Sequence, residues 1–226
     1  MSDIAVNSRR LTPRTKAGLG VFARYGTILG LLAMIAAFSL LSPMAFPTLG
    51  NFTNVINQAS LAMIIAGGLT LAVIVGELDL SIGFAASLHG VLVTGFIVHD
   101  KLPIPVAIVI VVALGAVIGL INGFIVTKMK VNSVIATLGV GTIITGLAFA
   151  YSTGVPIVAG VPEAFLQVSL GRWLLGIPNN IVIMVVILSL LWVLVERTSI
   201  GQEIQAVGGN AAAARLAGIN VDRVKT

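Results

Sequence analysis

The chain has 226 residues, of which 58% are apolar and only 9% are charged, and its mean hydropathy is +1.10. Soluble domains carry roughly a quarter charged residues, so this composition excludes a disordered chain and a water-soluble globular domain. Cysteine is absent, which excludes disulfide scaffolds and cysteine-bound metals. The net charge of +5 comes from basic residues gathered at a few places, which indicates membrane orientation rather than a nucleic-acid surface.

Long uncharged stretches predict an all-α polytopic bundle of about six membrane-spanning helices. Residues 1–24 form a basic tail, and residues 25–195 hold the transmembrane bundle in this interpretation. Pro43 and Pro47 separate the first two spans because proline ends a helix. A loop over residues 152–179 includes a possible interfacial helix near residues 163–175. The predicted spans are about 25–41, 55–75, 82–98, 106–126, 134–151 and 180–195.

The distribution of lysine and arginine predicts the orientation of the bundle. Eleven of the thirteen basic residues fall on the side that carries both tails, so we expect the amino terminus and residues 196–226 to be cytoplasmic. Segment 76–81 is the exception, since it has two acids and no base. A cleaved signal peptide is the alternative interpretation of the first 41 residues. The long apolar run and the lack of a clear cleavage site favour a retained anchor.

Segment 76–81 contains two carboxylates between apolar runs. An unpaired charge inside a membrane is costly, so these acids lie either at the membrane boundary or beside a wet cavity. Asp79 or Ser81 is a candidate N-cap for the helix that begins near Ile82. Polar side chains in the spans either hydrogen-bond between helices or line a path for a neutral polyhydroxylated solute. The candidates for a substrate path or a helix cap are Glu77, Asp79, Ser81, Asn57 and Asn122.

The sequence offers no set of residues for catalysis. It contains no Gly-x-Ser-x-Gly elbow, no His-Glu-x-x-His motif and no phosphate-binding Gly-x-x-x-x-Gly-Lys loop. We therefore expect no catalytic residues, no metal site, no cofactor and no bound ATP of the usual kind. A membrane enzyme is the least favoured class of function.

The polar tail, residues 196–226, predicts a short docking helix. A Gly-Gly-Asn turn at residues 208–210 precedes an alanine-rich helix, with Asn210 as its N-cap and Gly218 as its terminal glycine. A helix of about seven residues does not persist alone in water. The sequence therefore predicts that this helix docks against a partner protein.

Three segments resemble the permease subunits of bacterial ATP-binding-cassette importers for monosaccharides, of the ribose/xylose type. They are GELDLSIG at 76–83, KMKVNSVIATLG at 128–139 and TSIGQEIQAVGGNAAAARLAGINVDRVK at 198–225. The resemblance implies a multi-pass permease of the bacterial inner membrane that is not itself an enzyme. It implies four partners: the lipid bilayer, an ATP-binding cassette subunit that hydrolyses ATP, a second permease copy in a homo- or heterodimer, and a periplasmic sugar-binding protein.

The resemblance also implies that residues 208–218 include the helix that couples the permease to the ATPase. The wider importer pattern Glu-Ala-Ala-x-x-x-Gly falls on residues 212–214 and Gly218, with Ala212 in place of the acid. The implied coupling residues are Gly208, Gly209, Asn210, Ala212, Ala213, Ala214 and Gly218.

Permeases of this kind continue with further spans after the coupling segment, whereas this sequence stops at Thr226. We therefore expect an incomplete permease domain, either a fragment or a natural truncation. Two alternative functions stay open. One is a permease of the related branched-chain amino-acid importers. The other is a secondary transporter or channel that works without an ATPase. A protein of that kind would have no use for a docking helix. The sequence does not identify the sugar.

Overall fold

The computed structural model describes residues 13–226, with side chains from Tyr25 onward, so half of the predicted basic tail lies outside the described part. The chain divides into two compact units, residues 1–54 and 55–226. Every named element in the described residues is a helix, which confirms the prediction of an all-α helix bundle. The helices are α1 (Pro13–Leu41), α2 (Leu49–Ile74), α3 (Ile82–Val98), α4 (Ile104–Thr127), α5 (Ser133–Ser152), α6 (Glu163–Leu170), α7 (Asn179–Arg197), α8 (Ser199–Gly209), α9 (Ala211–Leu216) and α10 (Val221–Lys225).

Four of the described helices are long and apolar enough to cross a membrane, namely α2, α4, α5 and α7. Two shorter apolar helices, α3 and the Tyr25–Leu41 part of α1, have 17 residues each, near the lower limit for a span. The helix bounds lie within two residues of the predicted spans, except at the starts of α1 and α2, which begin earlier. There the helix includes residues before the predicted apolar span.

In the unit of residues 1–54, a tight turn ends α1 and begins α2. The rings of Phe38 and Phe46 stack with centroids 5.4 Å apart. The Asn51 amide donates to the Phe46 carbonyl oxygen at 2.9 Å, and the Thr48 hydroxyl accepts the Asn51 backbone N–H at 3.1 Å. Pro43 and Pro47 have no backbone N–H to donate, and the Asn51 and Thr48 side chains bond backbone groups around the start of α2.

In the unit of residues 55–226, α3 is the central helix and packs most extensively against α5 and then α4. The core of this packing is formed by the buried Leu88, Ile144 and Ala148. A glycine permits the close approach: a Cβ placed on Gly141 would lie 2.5 Å from the Phe84 ring. Elsewhere large apolar side chains face outward, including Val109, Val112 and Phe124 of α4. Such a surface is stable only against lipid or other protein.

The loop between α6 and α7 is fixed by one buried asparagine. Asn179 accepts the Trp173 backbone N–H at 3.0 Å, and its amide donates to the Gln167 carbonyl oxygen at 2.8 Å. The helix predicted near residues 163–175 is shorter than expected, because it ends at Leu170 where Gly171 takes an extended conformation.

Residues 199–225 form a compact group of three short helices, α8–α10, which we call the tail module. The sequence predicted only one of them, the alanine-rich α9. Thr198 caps α8 by accepting the Gly201 N–H at 3.2 Å, and Gly201 lies against the end of α7, where a Cβ would collide with the Val195 carbonyl. The module shares one apolar core with the end of α2, made of Val75, Ile204, Val207, Ala214 and Val221.

Candidate functional site

The first element of the site is the end of α2, where the chain turns into the carboxylate segment, residues 76–81. The Gly76 N–H donates to the Val73 carbonyl and the Glu77 N–H to the Ala72 carbonyl, both at 3.0 Å. With Gly76 at φ +81°, this is a Schellman ending, which requires a left-handed residue. The glycine thus sets the position at which the helix stops and the acids begin.

Beyond Glu77 the carboxylate segment is extended, and hydroxyl groups of α5 satisfy its backbone. The Leu78 N–H donates to the Ser133 hydroxyl at 3.3 Å, and the Leu80 N–H to the Thr137 hydroxyl at 3.1 Å. Ser133 and Thr137 are one helical turn apart, so both face the segment. Both are buried. The segment is therefore a helix break held against the start of α5.

Asp79, Ser81 and Asn122 form one hydrogen-bonded chain. The Asn122 amide of α4 donates to the Ser81 hydroxyl at 2.8 Å, and that hydroxyl donates to an Asp79 carboxylate oxygen at 2.6 Å. The same oxygen accepts the Ser81 backbone N–H at 2.8 Å. Ser81 occupies the N-cap position of α3, but its side chain makes no capping hydrogen bond to the helix. The Asp79 carboxylate thus accepts the hydrogen bond at the start of α3, from the backbone N–H of Ser81.

Glu77 makes an ion pair with the tail module. Lys225 of α10 donates to its carboxylate at 2.5 Å, and both side chains are more than three-quarters buried. The pair joins residues 148 positions apart in sequence and links the end of α2 directly to α10. Glu77, which lies outside the hydroxyl network, thus has its own cation in Lys225.

The structure brings most of the predicted polar residues together and leaves one out. Glu77, Asp79 and Asn122 surround a small cavity of about 90 Å³, which Ser133 and Lys225 also line. Ser81 belongs to the same hydrogen-bonded chain. Asn57 lies in α2 about four to five helical turns before its last residue, far along the helix from this cavity.

The alanine-rich helix α9 is closed at both ends by side-chain and backbone hydrogen bonds. The Asn210 side chain accepts the N–H groups of Ala212 and Ala213 at 3.0 Å. At the other end the Ile219 N–H donates to the Ala214 carbonyl at 3.0 Å, with Gly218 at φ +87°. A second Schellman ending therefore stops α9, and its six residues are fixed without a long helix.

The residues expected to contact an ATPase divide into an inner and an outer group. Ala214 is buried in the core of the tail module, and Gly208 lies so close to the Ile74 carbonyl that a Cβ would collide with it. The expected Gly-Gly-Asn turn is wrong: Gly208 and Gly209 are the last residues of α8, and Asn210 alone makes the break. All members of the set except Ala214 are exposed, namely Gly208, Gly209, Asn210, Ala212, Ala213 and Gly218; at Gly208 only the position of a Cβ faces the protein.

Sequence reasoning missed the most exposed apolar residue of α9. Leu216 is 91% exposed, on the same short helix as the outward-facing Ala212 and Ala213. Together with its exposed alanine neighbours, Leu216 gives the end of α9 a small apolar surface. The signal was present in the sequence, as a lone large apolar side chain between Arg215 and Ala217. We call the exposed Ala212, Ala213, Leu216 and Ala217 the α9 face.

A cluster of charges surrounds Asp222 on α10. Its carboxylate lies 3.7 Å from the Lys128 ammonium, 3.6 Å from that of Lys130 and 3.5 Å from the Arg215 guanidinium. Among the described residues, no group of three or more histidine, cysteine or acidic side chains is placed to hold a metal ion. The contacts of Asp222 with Lys128 and Lys130 join the tail module to the loop between α4 and α5.

Comparison with known proteins identifies the family. Residues 51–226 match the family described as branched-chain amino acid transport system / permease component. The ribose import permease protein of Escherichia coli K12 is 36% identical over 223 residues, covering 95% of this chain and 68% of the relative. The ribose import permease protein of Haemophilus influenzae is 37% identical over 201 residues, covering 88% of this chain and 62% of the relative.

A galactose/methyl galactoside import permease protein of Haemophilus influenzae is 35% identical over 217 residues, covering 89% of this chain and 63% of the relative. The chain thus spans between 62% and 68% of the length of these curated relatives. No solved structure matches the chain.

These matches confirm the resemblance to sugar-importer permeases, and a permease component is a transport subunit rather than an enzyme. The membrane-length helices agree with that assignment. The chain belongs to the branched-chain amino acid transport system / permease component family and is a multi-pass protein of the bacterial inner membrane.

Proposed function

We propose that this chain is the membrane-spanning part of an ATP-driven importer that carries a monosaccharide into bacteria by alternating access. The similarity to ribose and galactose import permeases supports a sugar rather than a branched-chain amino acid as the cargo. The small number of charged residues in the membrane portion agrees with a neutral, polyhydroxylated solute. The partners would be an ATP-binding subunit, a second permease copy and a periplasmic sugar-binding protein.

The observation that carries the proposal is the α9 face. An exposed leucine on a helix of six residues, capped at both ends and anchored through Ala214, is a rigid apolar knob of the kind that binds in a groove of another protein. In this proposal the groove belongs to the ATP-binding subunit. A secondary transporter or channel would have no use for such a surface, which favours the ATP-driven function.

The contacts of the tail module suggest how its movement would reach the membrane helices. Two links connect the module to the bundle near the carboxylate segment: the apolar core shared with Val75, and the Glu77–Lys225 ion pair. Displacement of the module would pull on residues 76–81 and strain their hydrogen bonds to Ser133 and Thr137. We place the cytoplasmic mouth of the sugar path at this point, on the side that the basic residues mark as cytoplasmic.

The size of the cavity fits a closed mouth. A volume of about 90 Å³ holds roughly three water molecules, whereas a pentose has about ten non-hydrogen atoms. Opening for transport would then require the Asn122–Ser81–Asp79 chain to separate. In this proposal Asp79, Ser81 and Asn122 hold the mouth shut, Glu77 connects it to the tail module, and Asn57 lies further along the path.

The test compares two equally exposed leucines. Leu216 and Leu175 are both 91% exposed, but Leu175 lies in the loop before α7, at the opposite end of that helix from the tail module. Leu216→Glu is expected to abolish co-purification with the ATP-binding subunit and the stimulation of ATP hydrolysis by sugar-loaded binding protein. Leu175→Glu should leave association with the ATP-binding subunit intact. If the two variants retain that association equally, the α9 face does not dock the ATPase.

A further inference from the structure

A second feature of the tail module is an open cleft with unbalanced positive charge. The cleft has a volume of about 500 Å³ and lies between the tail module and the loop that joins α4 to α5. Three cationic side chains line it, those of Lys130, Arg215 and Lys225, together with the carboxylates of Glu77 and Asp222. The proposed docking surface on α9 does not use these groups.

The charges in and around the cleft do not cancel. Glu77 and Lys225 pair with each other. Asp222 is left with three cations, at 3.5 Å from Arg215, 3.6 Å from Lys130 and 3.7 Å from Lys128. One carboxylate offsets one of them, so the cluster keeps two positive charges, counting Lys128, which lies beside the cleft and not in its lining. The lining itself holds three cations and two carboxylates, so the cleft has a net charge of +1, and a concave site of net positive charge attracts anions.

The cationic groups have donors to spare. The distances to Asp222 exceed ordinary hydrogen-bond lengths, so these contacts are charge attractions that leave the N–H groups directed elsewhere. The side chains of Lys128, Lys130 and Arg215 are between 59% and 68% exposed. Arginine carries five donors in a planar fork and lysine carries three, so the cluster can bind several oxygen atoms of one anion.

The amino-terminal end of α5 adds to the positive electrostatic potential of the cleft. Val131, Asn132 and Ser133 line the cleft at the amino-terminal end of this helix of 20 residues. The positive end of the helix dipole therefore points toward the space that the cations surround. This contribution supports the cluster and does not replace it.

We propose that this cleft binds a phosphate group. A phosphate carries one or two negative charges, which the net positive charge of the cleft and the neighbouring Lys128 can balance. Its oxygens can accept hydrogen bonds from the planar guanidinium of Arg215 and from the ammonium of Lys130. Two sources can supply this chemistry at the end of an apolar membrane helix: the headgroup of an anionic phospholipid, or a small phosphorylated solute in the cytoplasm. Occupancy would hold the tail module against the α4–α5 loop and so change its freedom to move.

The first experiment titrates inorganic phosphate into the purified full chain in uncharged maltoside micelles, at constant ionic strength, with isothermal titration calorimetry. The Lys130→Gln/Arg215→Gln double variant should bind phosphate at least about tenfold more weakly, because it loses two charge-assisted contacts. Arg223→Gln is the matched control, since Arg223 is exposed on α10 outside the cleft. Asp222→Asn should bind several-fold more tightly because it removes a competing negative charge.

The second experiment repeats the titration in mixed micelles that contain phosphatidylglycerol. If the headgroup is the occupant, the lipid lowers the apparent affinity for inorganic phosphate at least tenfold; if a free phosphate is the occupant, the affinity is unchanged. Either result supports a phosphate site when the double variant loses it. Absence of saturable binding in lipid-free micelles, or an equal loss in Arg223→Gln, would overturn the proposal.

Discussion

Two adjacent glycines at the end of α8 allow a sharp test of how the tail module is seated. A Cβ on Gly208 would collide with the backbone carbonyl of Ile74, whereas a Cβ on Gly209 would meet nothing within 4 Å. Neither glycine has a positive φ, so both sites accept an L-residue as far as the backbone is concerned. The same substitution to alanine therefore isolates the packing of α8 on the end of α2.

The two variants should change local stability in opposite directions. Gly208→Ala forces α8 away from a backbone atom that cannot move alone, and overpacking of this kind costs about 1–3 kcal/mol. Gly209→Ala removes the entropic penalty of a helical glycine and should gain up to about 0.5–1 kcal/mol. The expected difference between them is thus about 1.5–4 kcal/mol, or more than tenfold in the opening equilibrium of the module.

Hydrogen exchange of the amides in α8–α10 measures that equilibrium in the purified protein. We expect faster exchange throughout the module in Gly208→Ala, and unchanged or slower exchange in Gly209→Ala. Amides of α3 and α5 should be unaffected in both variants and serve as the internal control. Equal protection of the tail module in the two variants would refute the contact between Gly208 and Ile74.

Three further predictions concern the anchoring of the site. Asn122→Leu removes the amide that donates to the Ser81 hydroxyl, which keeps its hydrogen bond to Asp79, so the free energy of unfolding should fall by about 0.5–1.5 kcal/mol, measured by chemical denaturation in micelles; no change would contradict the role of the chain. Gly218→Ala, at φ +87°, should destabilise α9 by about 1 kcal/mol by hydrogen exchange, whereas Gly209→Ala should not. A double-mutant cycle on Glu77→Gln and Lys225→Met should give a coupling energy of about 1 kcal/mol that falls in high salt. A coupling energy of zero would show that this ion pair does not connect the tail module to the end of α2.

Local chemistry made several features predictable from the sequence. Prolines at 43 and 47 separate the first two helices, as the sequence predicted, because their effect on the backbone does not depend on distant residues. Asn210 and Gly218 bound α9 for the same reason: an N-cap and a left-handed terminal residue act within four positions. The apolar runs of α3, α4 and α5 likewise indicated their helices to within two residues.

The contacts that join distant parts of the chain were not predictable in the same way. The sequence showed that Glu77 and Asp79 needed partners, but nothing near them indicated Lys225 or Asn122. Ser133 and Thr137 are ordinary residues for the start of a helix, and only the fold makes them receive the backbone of Leu78 and Leu80. The helix α8 was missed because its buried face, Gly201, Ile204 and Val207, includes a glycine and is short.

The central claim, that the α9 face docks an ATP-binding subunit, is tested most directly by a covalent cross-link. The chain has no cysteine, so Ala213→Cys places one thiol on this face, and Leu175→Cys places one on an exposed control site. With a cysteine-reactive cross-linker in membranes that contain the assembled importer, we predict a product joined to the ATP-binding subunit for Ala213→Cys alone. An Ala213→Cys protein that forms no such product, while the importer still transports sugar, would contradict the account.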